Sequence, residues 1–230
     1  MIFYKTLTHW YLQNKRNLPW RNSNSPYHIW LSEIILQQTR VSQGTPYYLA
    51  FVKTFPTVFD LANATEQEVL KLWQGLGYYS RARNLHKTAQ FIANELNGVF
   101  PQNYLGLLNL KGVGDYTAAA IASFAYNERV PVVDGNVFRV LARYIGVEED
   151  IANHRTRKTF QALALDLMQA AEPNLFNQAI MEFGALQCVP KNPNCTICPF
   201  NGSCYALQKN KVAILPIKSK KAKPIVKHFN

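Results

Sequence analysis

A chain of 230 residues with 48% hydrophobic composition can bury roughly 70% or more of its unfolded surface, which excludes disorder and predicts a compact domain or two lobes sharing one core. Its longest apolar runs, such as the one around Ile34 to Leu36, are far too short to cross a bilayer, and no apolar signal segment follows Met1, so a soluble, cytoplasmic protein is expected. The formal net charge of +11, with Lys and Arg spread from Lys5 to Lys227, predicts an anionic partner, nucleic acid before any other, the plainer alternative being a merely soluble basic surface.

Taken in chain order, apolar residues recur at helical spacing almost everywhere: Trp30, Ile34 and Ile35, then Leu70, Leu72 and Trp73, then Ala118 to Ala125. Alternating strands are nearly absent, so the fold class is all-α. Asn63 and Thr65 can cap a helix over Glu66 to Leu72, Gly75 and Gly77 can end it, and Ser80 can open another through Ala82 to Leu96. The one β-like stretch, Val130 to Val133, is short, contains Pro131 and reads as a connector into a helix that starts around Asp134-Gly135-Asn136. After Tyr205 the helical period is lost. The basic, proline-punctuated end from Pro216 to Pro224 reads as a linker over residues 211–230.

Four stretches carry chemistry. Leu110-Lys111-Gly112-Val113-Gly114 stands directly before a helix rich in alanine. Gly112 and Gly114 permit positive φ and close backbone approach, so amides of the hairpin and of the helix N-terminus can face an anion. That is the pattern of a helix-hairpin-helix element holding a DNA phosphate without reading sequence; an ordinary interhelical turn is the alternative. Lys111, Arg81, Arg83 and Lys191 are further candidates for phosphate contact. Asp115 is unexpected in such a hairpin, and capping of the following helix would account for it.

Two carboxylates stand out. Glu33 lies among Trp30, Ile34 and Leu36, where lost hydration would raise its pKa, as a general acid requires, unless it faces water or a cation such as Arg40. Asp134, near a helix start and beside Asn136, would stay ionised, suiting it to a sugar cation; a plain N-cap is the alternative. Such a division of labour cleaves glycosidic bonds.

All four cysteines of the chain, Cys188, Cys195, Cys198 and Cys204, follow a C-x6-C-x2-C-x5-C spacing. Four thiolates from one loop, with no His in the interval, suit an iron–sulfur cluster ahead of zinc. Disulfides would need an oxidising compartment, and inert buried cysteines would be scattered.

Together with Leu18-Pro-Trp-Arg21, Trp30 to Thr39, Gly75 to Asn84, Asp134 to Val137 and Phe176-Asn-Gln-Ala179, these segments cover about Leu18 to Cys204. Through them the chain resembles the adenine DNA glycosylase (MutY) branch of the endonuclease III superfamily. The resemblance implies a bilobal all-α protein: a six-helix barrel lobe over residues 22–130 carrying the hairpin, and a [4Fe-4S] cluster lobe built from 1–21 and 131–210, with the active site in the cleft between them. It also implies a monomer acting on double-stranded DNA with adenine opposite 8-oxoguanine or guanine.

Carried over by position, Glu33 would protonate N7 of the flipped adenine and Asp134 would stabilise or trap the oxocarbenium ion, with Asn136 and Tyr116 supporting that charge. Leu18, Trp20, Arg21 and Gln178 match positions around the adenine, while Gln38 and Tyr78 match residues that wedge into the base stack. For Trp20 and Tyr78, core packing is the alternative. Tyr116 stands where bifunctional relatives carry a Schiff-base lysine, which implies base removal without strand cleavage. The cysteines would be cluster ligands with a structural role. Typical members continue into a Nudix-like domain, which would begin where this chain ends, so weaker preference for 8-oxoguanine over guanine is expected. A noncatalytic lesion-sensing module, a thymine mismatch glycosylase and a bifunctional pyrimidine-lesion enzyme are the alternatives.

Overall fold

The computed structural model describes residues 3–169 and 171–219, and among them it contains α-helices, one 3-10 turn and no strand. The chain divides into two units: one comprises Leu12–Val132 with Ala170–Gln178, the other Met1–Tyr11, Val133–Gln169 and Ala179–Asn230.

The first unit holds the 3-10 turn Pro19–Arg21 and helices α2 (Pro26–Leu36), α3 (Val41–Thr54), α4 (Val58–Asn63), α5 (Glu66–Trp73), α6 (Ser80–Glu95), α7 (Tyr104–Leu108) and α8 (Asp115–Tyr126), after α1 (Phe3–Asn14), most of which belongs to the second unit. Helix α2 opens on Pro26, whose fixed φ suits a first turn. It is buried on nearly every face, as expected of a helix that is apolar all round, and it packs on α3 and α8. In α8 the run Ala118 to Ala122 is buried, and these small side chains let the neighbouring backbone approach closely. Thr57 and Thr65 start α4 and α5 through reciprocal capping boxes with Asp60 and Glu68. The cap of α5 is thus Thr65, one of the two residues the sequence offered, and the helix gives way at Gly75 and Gly77, both at positive φ. Trp30, Phe51, Leu61, Trp73, Leu85 and Ile92 are among the fully buried side chains at the centre of this unit.

The second unit contains α9 (Gly135–Ile145), α10 (His154–Met168), the later turns of α11 (Pro173–Leu186) and α12 (Tyr205–Gln208). Its core is aromatic: Phe3 packs on Tyr144 and Phe200, and Phe183 meets both Trp10 and Phe200 edge-on. Past α12 the chain stays tied to this unit as far as Ser219. Ile151 N donates to Ile217 O at 3.0 Å and Ser219 N to Asp150 at 3.1 Å. Leu215 is buried. The remainder of the expected basic linker, from residue 220 on, lies outside the described residues.

Candidate active site and DNA interface

Asp134 is the N-cap of α9, with extended backbone that turns its carboxylate onto the first helical turn. One oxygen accepts from Val137 N at 2.8 Å and the other from Asn136 Nδ2 at 2.8 Å. Behind this clamp, Arg139 donates to Asn136 Oδ1 at 2.8 Å, to Gly184 O at 2.6 Å and to Cys188 O at 2.7 Å. A buried guanidinium therefore links the aspartate to α11 and to the first cysteine. The cap and the catalytic candidate are one residue. The carboxyl was expected to stay ionised easily beside a helix start and Asn136; burial instead pushes its pKa up, and the bonds from Val137 and Asn136 and the charge of Arg139 only partly pull it back. At Gly184 the approach of α11 is so close that a Cβ would lie 2.7 Å from Asn136 Cβ and 2.9 Å from its carbonyl oxygen.

Glu33 is buried in α2, 9% exposed, between turns that also bury Trp30 and Ile34. Leu18 and Trp20 belong to the hydrophobic core of the first unit, Trp20 edge-on to Tyr48. Arg21, half-buried beside them, donates to Arg16 O at 3.3 Å. Tyr116 is half-buried in the first turn of α8. Gln178 is half-buried on α11, where its amide donates to Asn174 one turn earlier. The adjacent Asn177 is fully engaged: it accepts from Val132 N at 3.0 Å and donates to Ser123 Oγ at 2.8 Å and Val130 O at 2.9 Å. It thereby fixes the connector that leads towards Asp134.

Gln38 and Tyr78 are both exposed and both left-handed, at φ 55° and 48°, with Tyr78 65% exposed. A large apolar ring held in solvent at strained backbone is unusual for core packing and suits a surface meant to be covered.

The hairpin departs from expectation in several details. Gly112 is at φ 79°, but its missing Cβ faces Asn84 at 3.0 Å, so the glycine is needed for packing against α6 as well as for the turn. Gly114 is extended, at φ −99°, and nothing lies within 4 Å of where its Cβ would be. Positive φ therefore does not explain it, and its open face leaves the backbone approachable. Val113 is buried and its N–H closes the turn on Leu110 O at 3.1 Å, so that amide is already committed; helix α8, which begins directly after the hairpin, presents its N-terminal end there. Asp115 does not cap α8, since Gly114 holds that position; it stands in the first turn, where an acid suits the helix dipole, and accepts from Tyr104 Oη at 3.0 Å. Lys111 is exposed.

Arg81, expected to face phosphate, turns its guanidinium onto the protein's own backbone. Its guanidinium is consumed by carbonyls: Ile34, Ile35 and Gln37 on one nitrogen at 3.1, 3.2 and 2.5 Å, Leu76 and Gly77 on the other at 3.2 and 3.4 Å. Its Nε and the indole N–H of Trp30 are buried with no acceptor among the described residues, and both side chains line one small pocket with Asn84 and Lys111. Arg83 pairs with Glu66 at 3.2 Å on the surface, an interaction weak enough to exchange for another anion.

Cys188, Cys195, Cys198 and Cys204 line one pocket walled by Val140, Tyr144, Phe183, Phe200 and Leu207. None is in a disulfide. Among the described residues no three His, Cys, Asp or Glu side chains gather closely enough to hold a single metal ion. Buried Arg143 lies 3.4 Å from Cys188 Sγ and also donates to Val189 O, Pro190 O and Leu215 O. Burial pushes the Cys198 thiol up to about 11. Nothing in the sequence distinguished Arg139 and Arg143 from the other basic residues of the chain, although their spacing of four on α9 could have placed both on one helical face.

The fold is one that solved DNA-repair proteins share. A thermostable thymine-DNA glycosylase is 29% identical, superposes with a TM-score of 0.82 and covers 90% of this chain and 96% of its own. An endonuclease III–DNA covalent intermediate, 20% identical, has the same fold at a TM-score of 0.76, over 90% of this chain and 94% of its own. The chain belongs to the HhH-GPD superfamily of base excision DNA repair proteins, which it matches over residues 31–164. Among curated relatives, an adenine DNA glycosylase of Buchnera aphidicola is 40% identical over 96% of this chain. The relatives are longer: the chain spans 63% of that protein and 40% of an adenine DNA glycosylase of Arabidopsis thaliana.

Proposed function

We propose that this chain is the catalytic part of a monofunctional adenine DNA glycosylase acting on adenine opposite 8-oxoguanine or guanine. The observation that carries the reading is the Asp134 clamp: a carboxylate held through both oxygens, with a buried cation behind it. This is the arrangement needed to meet positive charge at a sugar carbon without moving. The similarity to adenine DNA glycosylases supports adenine as the base.

In the reaction, the adenine leaves the stack while Gln38 and Tyr78 occupy the gap. The buried Glu33 carboxyl gives its proton to N7, and the glycosidic electron pair departs with the base. Asp134 stabilises the resulting oxocarbenium ion, or bonds to it until water completes the substitution. Asn136 orients Asp134, and Tyr116 supports the charge. No amine stands at Tyr116 to form a Schiff base, so the product is an abasic site in an intact strand. Phosphates rest on the first-turn amides of α8 and on Lys111.

The donor set fits an iron–sulfur cluster: four thiols ring one apolar pocket rather than converging on a point, and Arg143 beside Cys188 offsets anionic charge. When bound, such a cluster would cross-link the four cysteines and so stiffen the loop that carries Lys191.

Single-turnover release of adenine from A·8-oxoguanine and A·G duplexes tests the proposal, beside a G·T duplex. Release without strand cleavage or borohydride trapping is expected, and Glu33→Gln and Asp134→Asn should each abolish it. Tight binding without release would favour a lesion-sensing module instead, and thymine release would move the specificity.

A further inference from the structure

The five carbonyls on Arg81 belong to two turns that are far apart in sequence, Ile34 to Gln37 and Leu76 to Gly77. Two of them are decisive. The Gln37 carbonyl is half of the peptide plane that enters Gln38, and the Gly77 carbonyl is half of the plane that enters Tyr78. The two exposed residues in the left-handed region are therefore each preceded by a peptide group that the same guanidinium holds. Trp73 reinforces the second turn by donating its indole N–H to Gly77 O at 3.0 Å, and Arg81 stacks over the rings of Trp73 and Tyr78 at 5.0 and 5.7 Å.

We infer that Arg81 is a positioning residue that presets Gln38 and Tyr78 as a rigid pair before DNA arrives. The inference rests on the proposed reading that these two side chains enter the base stack. Left-handed backbone at a glutamine and a tyrosine does not persist unless its surroundings impose it. A side chain already standing in its bound pose loses no further freedom on insertion, so the binding energy goes into unstacking the target base. Only a planar fork with several donors can grip both turns at once; lysine, with a point charge on a flexible stem, cannot. The terminal carbonyls of α2 would be capped as well by any cation, so capping alone does not require arginine.

The test uses the full chain and an A·8-oxoguanine duplex, either with the target adenine replaced by 2-aminopurine, whose fluorescence rises on unstacking, or with adenine retained for excision. Arg81→Lys should lower the fluorescence rise at saturating protein and slow single-turnover excision on the order of tenfold to a hundredfold, the usual cost of a small misplacement. On the same mispair flanked by unpaired bases, where little stacking remains to be broken, excision by the variant should return towards wild type. In a Gln38→Ala, Tyr78→Ala background, Arg81→Lys should add no further loss. Trp73→Phe, which keeps the ring but removes the second anchor on Gly77, should act in the same direction more weakly and covers the case that Arg81→Lys does not fold.

Equal deficits on stacked and unpaired substrates, additive losses in the alanine background, or unchanged unstacking in Trp73→Phe would each show that Arg81 serves the fold alone. The two proposals fail separately. A wild-type protein that unstacks 2-aminopurine but releases no adenine refutes the activity, whereas one that releases adenine and is matched by Arg81→Lys refutes only the preset pair.

Discussion

At Asp134, burial raises the cost of the charge, while the bonds from Val137 and Asn136 and the field of Arg139 lower it, and burial is the larger effect. An acid whose folded pKa lies above its unfolded value gives stability that is fully present below the unfolded value and lost as pH rises through the folded one. At neutral pH the ionised aspartate is thus a local liability. Asparagine caps a helix as well as aspartate does, so Asp134→Asn should melt at a higher temperature than wild type at pH 7, the gain shrinking as pH falls through the raised folded pKa and vanishing below the ordinary value of 3.8, while excision is lost. Thermal melts across that range decide it. Gly184→Ala should do the converse. Its methyl would press on Asn136 at 2.7 to 2.9 Å, and excision should fall on the order of a hundredfold with DNA affinity largely kept. Competition binding run alongside excision separates the two. The burial of Glu33 and the helix-start position of Asp134 were legible in the sequence because an acid in an apolar helix and an Asp at a helix start are conspicuous. Gly184 was not, because nothing local says which glycine another helix will touch.

On the scale of elements, caps and helix ends were the most readable features and the partners across elements the least. Thr57 and Thr65 announce their helices by chemistry that lies within a few residues, whereas Ser80 begins α6 without capping it, the N-cap being Tyr79 with no side-chain bond. The role of Arg81 depends on turns that only the packing of α2 against α6 brings to it, and from sequence it read as one more cation for phosphate. The capping boxes carry their own pH dependence. Hydrogen bonds from Thr57 and Thr65 hold the exposed carboxylates of Asp60 and Glu68 below their ordinary values of 3.8 and 4.5. With depressed folded pKa values, their contribution is present above those ordinary values and lost as pH falls through the folded ones. Protection from amide exchange in the first turns of α4 and α5, taken relative to the intrinsic rate at each pH, should therefore fall on acidification through that window, and in Thr65→Ala the α5 response should vanish. An α5 response unchanged in that variant would contradict this account.

For the molecule as a whole, the charge of +11 and the division into two units lead to separable expectations. Phosphate contacts release counterions, so binding should weaken steeply with salt, and Lys111→Ala should reduce the logarithmic slope by roughly 0.9. A slope unchanged by that substitution removes Lys111 from the interface. The cysteine pocket lies in the second unit, whose aromatic core is its own. Cys198→Ser should thus loosen the second unit, lowering protection from amide exchange in α9 and α12 while the first unit keeps its protection. Uniform loss across both units would mean that they melt as one. The cysteine spacing and the all-α class were plain from the sequence. Arg139, which joins Cys188 to the Asn136 that holds Asp134, and Arg143 beside the first cysteine were not, because a buried cation and a solvated one look alike until the fold surrounds them.

The carbonyl of Leu215 that receives Arg143 has a practical meaning for anyone who cuts or fuses this chain. Periodicity suggests trimming after α12, near Lys209. A protein shortened there would lose the acceptor for a buried guanidinium that also touches the first cysteine, and it would bare the surface that Leu215 covers. A version ended at Asn210 should show lower protection from amide exchange in α9 and greater sensitivity to trypsin than the full chain.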